Sequence, residues 1–311
     1  MKKIWRACLL IILLCCMSLI QRSVMIAQAN EPKELNIVTS FYPMYAITKE
    51  IVGDLHEVRV LNSRNGIHGF EPSANDIAAI YDADIFIYHS NILESWTKNI
   101  AVNLKNSSVT LVEASRGMAM QKVTGLEDIE EIEGMDNAAL YDPHTWLDPI
   151  EAGVEAQLIA DRLSELDPDN QETYQANAKQ FVEQAEQLVA KYQPIFEQLK
   201  QKTFVTQHTA FSYLAQRFNL KQLGIAGVSS DIEPSSKKIA EVQKFVNEYQ
   251  VKTIFVEPNV SDRAAKVIAN ATGTTIVELS PLEGDPLNTD PFLVNLEKVL
   301  ETLSSHLQQE E

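Results

Sequence analysis

No cysteine follows Cys16 in this 311-residue chain, and no long apolar run follows Ile20. Basic residues are also scarce, 26 against 43 acidic ones. Each shortage excludes something. With Cys8, Cys15 and Cys16 all near the N-terminus, the rest of the chain has neither a disulfide nor a thiolate metal site, so any metal must be held by nitrogen and oxygen. The lack of a later apolar run excludes a second membrane segment. The acidic balance argues against nucleic acid as a partner and mildly favours the collection of cations, although a solubilising charge excess explains most of it equally well.

The N-terminus reads as an export signal over residues 1–29. Lys2, Lys3 and Arg6 precede an apolar stretch at residues 7–20, and Ala27-Gln28-Ala29 supplies the small-x-small pattern of a cleavage site. That stretch is shorter than the roughly 20 residues needed to span a bilayer. Removing Lys2, Lys3, Arg6 and Arg22 takes the formal charge from −17 to −21. An alternative stays open, in which Cys16, after Leu13-Leu14-Cys15, carries a lipid. The sequence lacks a cysteine near residues 25–29, so a secreted or loosely retained protein is the preferred expectation.

The remaining 282 residues suffice for two domains with a core each. Short apolar strands are expected at 35–39, 57–61, 83–88 and 109–113, with helices at 45–52 and 73–81 between them. The second half repeats the pattern, with strands at 203–207, 252–256 and 275–279 and helices at 210–218, 235–249 and 261–271. Strands separated by helices imply α/β folding with parallel sheets. Between the halves, residues 169–200 lack glycine, and Tyr174, Ala178, Phe181, Ala185, Leu188, Val189, Tyr192 and Phe196 recur at helical spacing. That predicts one helix of about 32 residues, which Pro194 should kink or end early. The expected boundaries are 30–166 for an N-terminal lobe, 167–202 for a linking helix and 203–311 for a C-terminal lobe. Residues 124–137, rich in Asp and Glu but without histidine, read as a solvated loop.

Four residues carry the chemistry: His68 in Gly-Ile-His-Gly-Phe-Glu-Pro, His144 in Tyr-Asp-Pro-His-Thr-Trp, His208 in Val-Thr-Gln-His-Thr-Ala-Phe, and Glu283 in Ser-Pro-Leu-Glu-Gly. Three imidazoles and one carboxylate make a set that zinc favours. His208 and Glu283 follow strands, where open α/β sheets bind ligands. Taken singly, a histidine is more often a surface or hydrogen-bonded residue, and a glutamate is more often solvated. His89 is the tempting decoy and is assigned a structural role. His56 and His306 are expected to be exposed.

These motifs, with Val38-Thr39-Ser40-Phe41-Tyr42-Pro43-Met44-Tyr45 before them, occur in an order that closely resembles the metal-specific substrate-binding proteins of bacterial ABC importers. Within that family the chain looks most like the zinc-binding lipoproteins of Gram-positive cocci, some of which are called laminin-binding proteins. The resemblance covers nearly all of residues 30–311. It implies two pseudo-symmetric α/β lobes joined by a long backbone helix, with His68 and His144 from one lobe and His208 and Glu283 from the other closing on a single zinc ion. Manganese-binding relatives use two acidic ligands, which suits a harder ion. The implied function is zinc capture for a membrane permease and its ATPase by a monomer, with no catalysis and no nucleic acid. Two alternatives stand beside it: an adhesin for host laminin on the same scaffold, and a zinc hydrolase, which would need an open coordination position.

Overall fold

Two four-stranded sheets, all parallel, organise the chain. The computed structural model describes residues 34–61, 67–123, 128, 130, 140–229 and 233–309. The export signal at 1–29 and nearly all of the acidic stretch at 124–137 therefore lie outside the described residues. In the first sheet, strands β1 (Ile37–Thr39), β2 (Val58–Val60), β3 (Ile85–Tyr88) and β4 (Thr110–Glu113) lie in the order β2-β1-β3-β4. The second sheet repeats that order as β6-β5-β7-β8, from β5 (Thr203–Thr206), β6 (Lys221–Gly224), β7 (Thr253–Val256) and β8 (Thr275–Glu278). Helices cross over between the strands, α1 (Tyr42–Val52), α2 (Ala74–Tyr81) and α3 (Thr97–Asn103) in the first lobe. Because all strands within a sheet run the same way, their carboxyl ends share one edge, and loops that leave that edge meet.

The central strands β3, β5 and β7 are buried at every residue and carry near-continuous apolar sequence, as strands covered on both faces do. The helix starts are set by local chemistry. Ser73 accepts from the Asp76 amide and Asp76 accepts from the Ser73 amide at 2.9 Å, a reciprocal cap for α2. Gly224, at the end of β6, has no room for a side chain, because a Cβ there would sit 2.2 Å from Thr209 Oγ1. Thr209 follows His208, so this glycine lets the chain pass close behind a candidate site residue.

Helices α4 (Pro149–Leu166) and α5 (Gln171–Gln198) form an antiparallel pair between the sheets, joined by a short 3₁₀ turn at Pro168–Asn170. The expected 32-residue helix is thus 28 residues long, because Pro168 starts a separate turn. Pro194 lies within α5 and does not end it. It removes only one donor near the C-terminus, and buried Phe196, whose ring centroid is 4.8 Å from that of Phe218, anchors the last turn. Each such buried aromatic contributes about 1.5–3 kcal/mol.

Other elements go beyond the expected set. α4 and α9 (Phe292–Gln309) are amphipathic helices, while β6 is a polar edge strand without alternation for a sequence to betray. The remaining helices of the second lobe are α6 (Ser212–Arg217), α7 (Ser236–Glu248) and α8 (Arg263–Thr272), the last ended by Gly273 at φ 76°. α9 packs on α5 and α1, and the half-buried Glu50 carboxylate of α1 accepts from the Phe292 amide at 2.6 Å. A second tie, Arg217 on α6, grips both oxygens of Asp148, the N-cap of α4, at 2.9 Å. Among the described residues no helix is long and apolar enough to cross a membrane.

Two histidines differ from expectation. His56 is only 3% exposed, since α5 covers it, and its Nε2 contacts the Tyr174 hydroxyl at 2.7 Å and Asp167 Oδ2 at 3.3 Å. His306 is half-buried, with its ring edge-on to Phe255. Both lie in polar sequence, and only tertiary packing covers them. Burial would raise the Asp167 carboxyl, but hydrogen bonds from Asn170, Tyr174 and His56 outweigh it and hold the group below its ordinary value of 3.8. Its stabilising share is therefore present above that pH and lost as pH falls through the lowered native value. His56→Ala should cost about 1–3 kcal/mol in urea unfolding at pH 7, the penalty for stranding buried polar partners. Asp167→Asn should flatten the acid limb of the stability–pH curve, and an unchanged acid limb would contradict this account.

Candidate metal centre

All four candidate residues leave the carboxyl edges of the sheets or the turns beside them. His68 lies in the connection between β2 and α2, just past buried Ile67. His144 opens a 3₁₀ turn, Thr145–Leu147, ahead of α4. His208 comes two residues after β5, where the Thr206 hydroxyl donates to its backbone oxygen at 2.6 Å. Glu283 sits in the turn after β8, behind Leu282, a non-glycine residue with φ 55°.

Their donor atoms converge. His68 Nε2 is 3.2 Å from His144 Nε2, which is 3.3 Å from His208 Nε2. Glu283 Oε1 faces all three, at 3.4 Å from His68, 3.3 Å from His144 and 3.2 Å from His208. Five of the six donor–donor separations thus lie close to the edge of about 3.3 Å of a tetrahedron whose corners are about 2.0 Å from its centre, the length of a zinc–imidazole bond, and all six lie within 4.8 Å. Glu283 Oε1 is buried without a hydrogen-bond partner among the described residues, as a donor facing a cation position should be.

The imidazoles are oriented from behind. His144 Nδ1 donates to Asp142 Oδ1 at 2.7 Å, and the same oxygen accepts from the His144 amide at 2.9 Å. His208 Nδ1 donates to Glu257 Oε1, and the Glu257 amide in turn donates to Gln207 Oε1 at 3.1 Å. With Nδ1 committed as donor, each Nε2 keeps its lone pair for the centre. Burial would depress both imidazoles, but Asp142 and Glu283 raise His144, while Glu257 and Glu283 push His208 up to about 10. Burial would raise Glu283, yet its three histidine neighbours hold it well below the ordinary carboxylate range. Three carboxylates around three imidazoles thus make a pocket that stabilises positive charge, whether proton or metal ion.

Asp142 and Glu257 were not among the expected site residues. Asp142 precedes His144 by two residues, and Glu257 ends β7 on the same carboxyl edge as His208, so motif proximity and the edge rule were the available signals. His89 lies outside the cluster. It is fully buried and bonds Ser90 Oγ at 3.0 Å through Nδ1 and Thr145 Oγ1 at 2.7 Å through Nε2. His68 is the most open donor, its side chain 11% exposed against 4% or less for the other three.

Residues 37–306 match the family model for ZnuA, the periplasmic zinc-uptake complex component A. The zinc-binding protein AdcA of Streptococcus pyogenes is 37% identical over 264 residues, 81% of this chain and 51% of its own length. The chain thus spans about half the length of that relative. A Zn(II)-bound variant of AdcAII of Streptococcus pneumoniae is 55% identical and superimposes with a TM-score of 0.83, covering 88% of this chain and 99% of that one. The laminin-binding protein Lmb of Streptococcus agalactiae, described as bifunctional with adhesin and metal-transporting activity, is 49% identical over 88% of this chain and all of that one, with a TM-score of 0.82. With a family match running almost from β1 to the end of α9, and two solved relatives that share both lobes, the chain belongs to the ZnuA family of zinc-uptake component A proteins.

Proposed function

We propose that this chain is the exported zinc-capture component of an ABC importer, with His68, His144, His208 and Glu283 as the ligands of one zinc ion that it carries to a membrane permease and its ATPase. The observation that supports this best is the convergence of three imidazole nitrogens and one carboxylate oxygen within 4.8 Å, with five of their six separations at 3.2–3.4 Å. If Glu283 binds through one oxygen, four protein donors close the shell and leave no position for an activated water, which favours a carrier over a hydrolase; bidentate binding would leave room for one. The lobes are taken as residues 30–166 and 203–311, with 167–202 as the link, so that each lobe supplies two ligands. A rigid helix between them limits hinge motion and keeps the cleft narrow. Export follows from the signal at 1–29, with lipid attachment at Cys16 as the open alternative. The likeness to Lmb supports a second reading, laminin binding by the same scaffold, which a surface-binding assay with and without zinc would separate from transport. A metal titration combined with a hydrolase screen separates carrier from enzyme.

If both lobes supply ligands, only the folded chain assembles the site and zinc must stabilise it. At free zinc a thousandfold above the dissociation constant, linkage gives about 4.1 kcal/mol, or about 8–16 °C in Tm for a chain of this size. A melting temperature that zinc leaves unmoved would sink the site.

His208→Glu exchanges a borderline nitrogen for a hard oxygen. It should weaken zinc and raise the relative affinity for manganese. Competition titration on the purified variant measures this, and an unaltered preference order would mean that cavity geometry sets selectivity.

Alanine at His68, His144 or His208 should each lower zinc affinity by well over the 10- to 100-fold typical of outer-shell losses, and His89→Ala should stay within that range. Glu283→Ala should be milder than the histidine changes, because water replaces a carboxylate oxygen more easily than an imidazole. Calorimetry on the five variants decides the assignment, and abolition of binding by His89→Ala with His68→Ala intact would reverse it.

A further inference from the structure

Among the described residues Trp146 is the largest fully buried side chain, and it contacts both His144 and the turn that precedes Glu283. It follows His144 by two residues, and its ring centroid lies 5.2 Å from that of His144. Phe41 and His89 meet it edge-on, each at 5.1 Å, so the indole has one fixed setting. From that setting its Nε1–H reaches across to the second lobe and donates to the Pro281 carbonyl at 2.9 Å, 135 residues away in sequence.

The receiving turn is poorly determined by its own residues. Pro281 has no amide hydrogen to offer and is buried, so its carbonyl needs a donor from elsewhere. Leu282 holds a left-handed backbone at φ 55° that an L-residue with a Cβ disfavours, and it is 2% exposed. From within the turn, the Leu282 amide bonds Ser280 Oγ at 3.1 Å. Trp146 supplies the tie from outside, and the next residue after this unusual backbone is Glu283. Local strain of this kind persists only where surrounding structure over-determines it.

We propose that Trp146 is a positioning residue for the Glu283 carboxylate. Its indole N–H fixes the Pro281–Leu282 backbone so that Oε1 sits at the fourth corner beside the three imidazoles. The same ring packs on His144, so one side chain couples a donor of the first lobe to one of the two donors of the second. The proposal rests on the zinc-capture reading.

The test is a double-mutant cycle read by zinc calorimetry and by chelator-chased dissociation. Trp146→Phe removes the N–H and keeps an aromatic ring against His144. Replacement of Trp146 by 3-benzothienylalanine keeps the bicyclic shape with sulfur in place of N–H, so the core stays filled and the measurement is made on folded protein. Each is expected to weaken zinc about 10- to 100-fold, the range for partners that orient a ligand, mainly through faster dissociation. In a Glu283→Ala background the same replacement should change affinity by no more than about twofold, because the group it positions is gone. A full loss in both backgrounds would overturn the proposal and place the effect on His144 packing or on the fold. Unaltered zinc binding in the benzothienyl variant, with Glu283→Ala still impaired, would overturn it alone. Glu283→Ala binding zinc as tightly as the parent chain would overturn both the donor set and the proposal.

Discussion

One electrostatic arrangement organises the cleft: four lone pairs gathered within 4.8 Å in a buried pocket. Three imidazole nitrogens and a carboxylate oxygen, five of whose six separations are 3.2–3.4 Å, repel one another unless positive charge sits among them. A flexible chain would let them drift apart. Here three of the four are fixed by groups that do not face the centre, Asp142 behind His144, Glu257 behind His208, and a left-handed turn before Glu283. In the folded chain the like donors are thus already gathered, and the cost of bringing them together is met during folding.

The frame achieves this by repetition. Both sheets run in the same strand order with all carboxyl ends on one edge, so the loops that matter leave each lobe toward a common side. The α4–α5 pair connects the two sheets along the chain, and the ties of Arg217 to Asp148, Tyr213 to the Asp142 carbonyl at 2.9 Å, and Glu50 to the start of α9 cross from one lobe to the other. Several of these ties end on residues 141–148, the segment that carries His144. Its position thus depends on the second lobe as much as on the first.

Chemical preference follows from the donor types. Nitrogen-rich donors suit a borderline ion, whereas Mg²⁺, Ca²⁺ and Mn²⁺ are better served by oxygens and by more of them. The count of four donors reinforces that choice, because six-coordinate ions would need additional ligands.

Much of this was legible in the sequence, for a physical reason. The parallel α/β alternation, the long glycine-free helix and the four chemistry-bearing motifs are local patterns, set by side-chain periodicity, capping residues and turn composition, and each survives when the chain is read one window at a time. The polar edge strand β6 left no such trace, and the burial of His56 under α5 could not, since its neighbours in sequence are polar. Asp142 and Glu257 were hidden in a different way. An acidic residue near a strand end is ordinarily solvated, and only the folded geometry, with an imidazole Nδ1 against each, distinguishes an orienting carboxylate from a surface one. The sequence by itself determined which donor types were present and that they lie at strand ends or in short loops. Tertiary structure alone decided that residues 68, 144, 208 and 283 meet at one point, because convergence depends on the docking of two sheets through α4 and α5, a long-range packing result that no local pattern encodes.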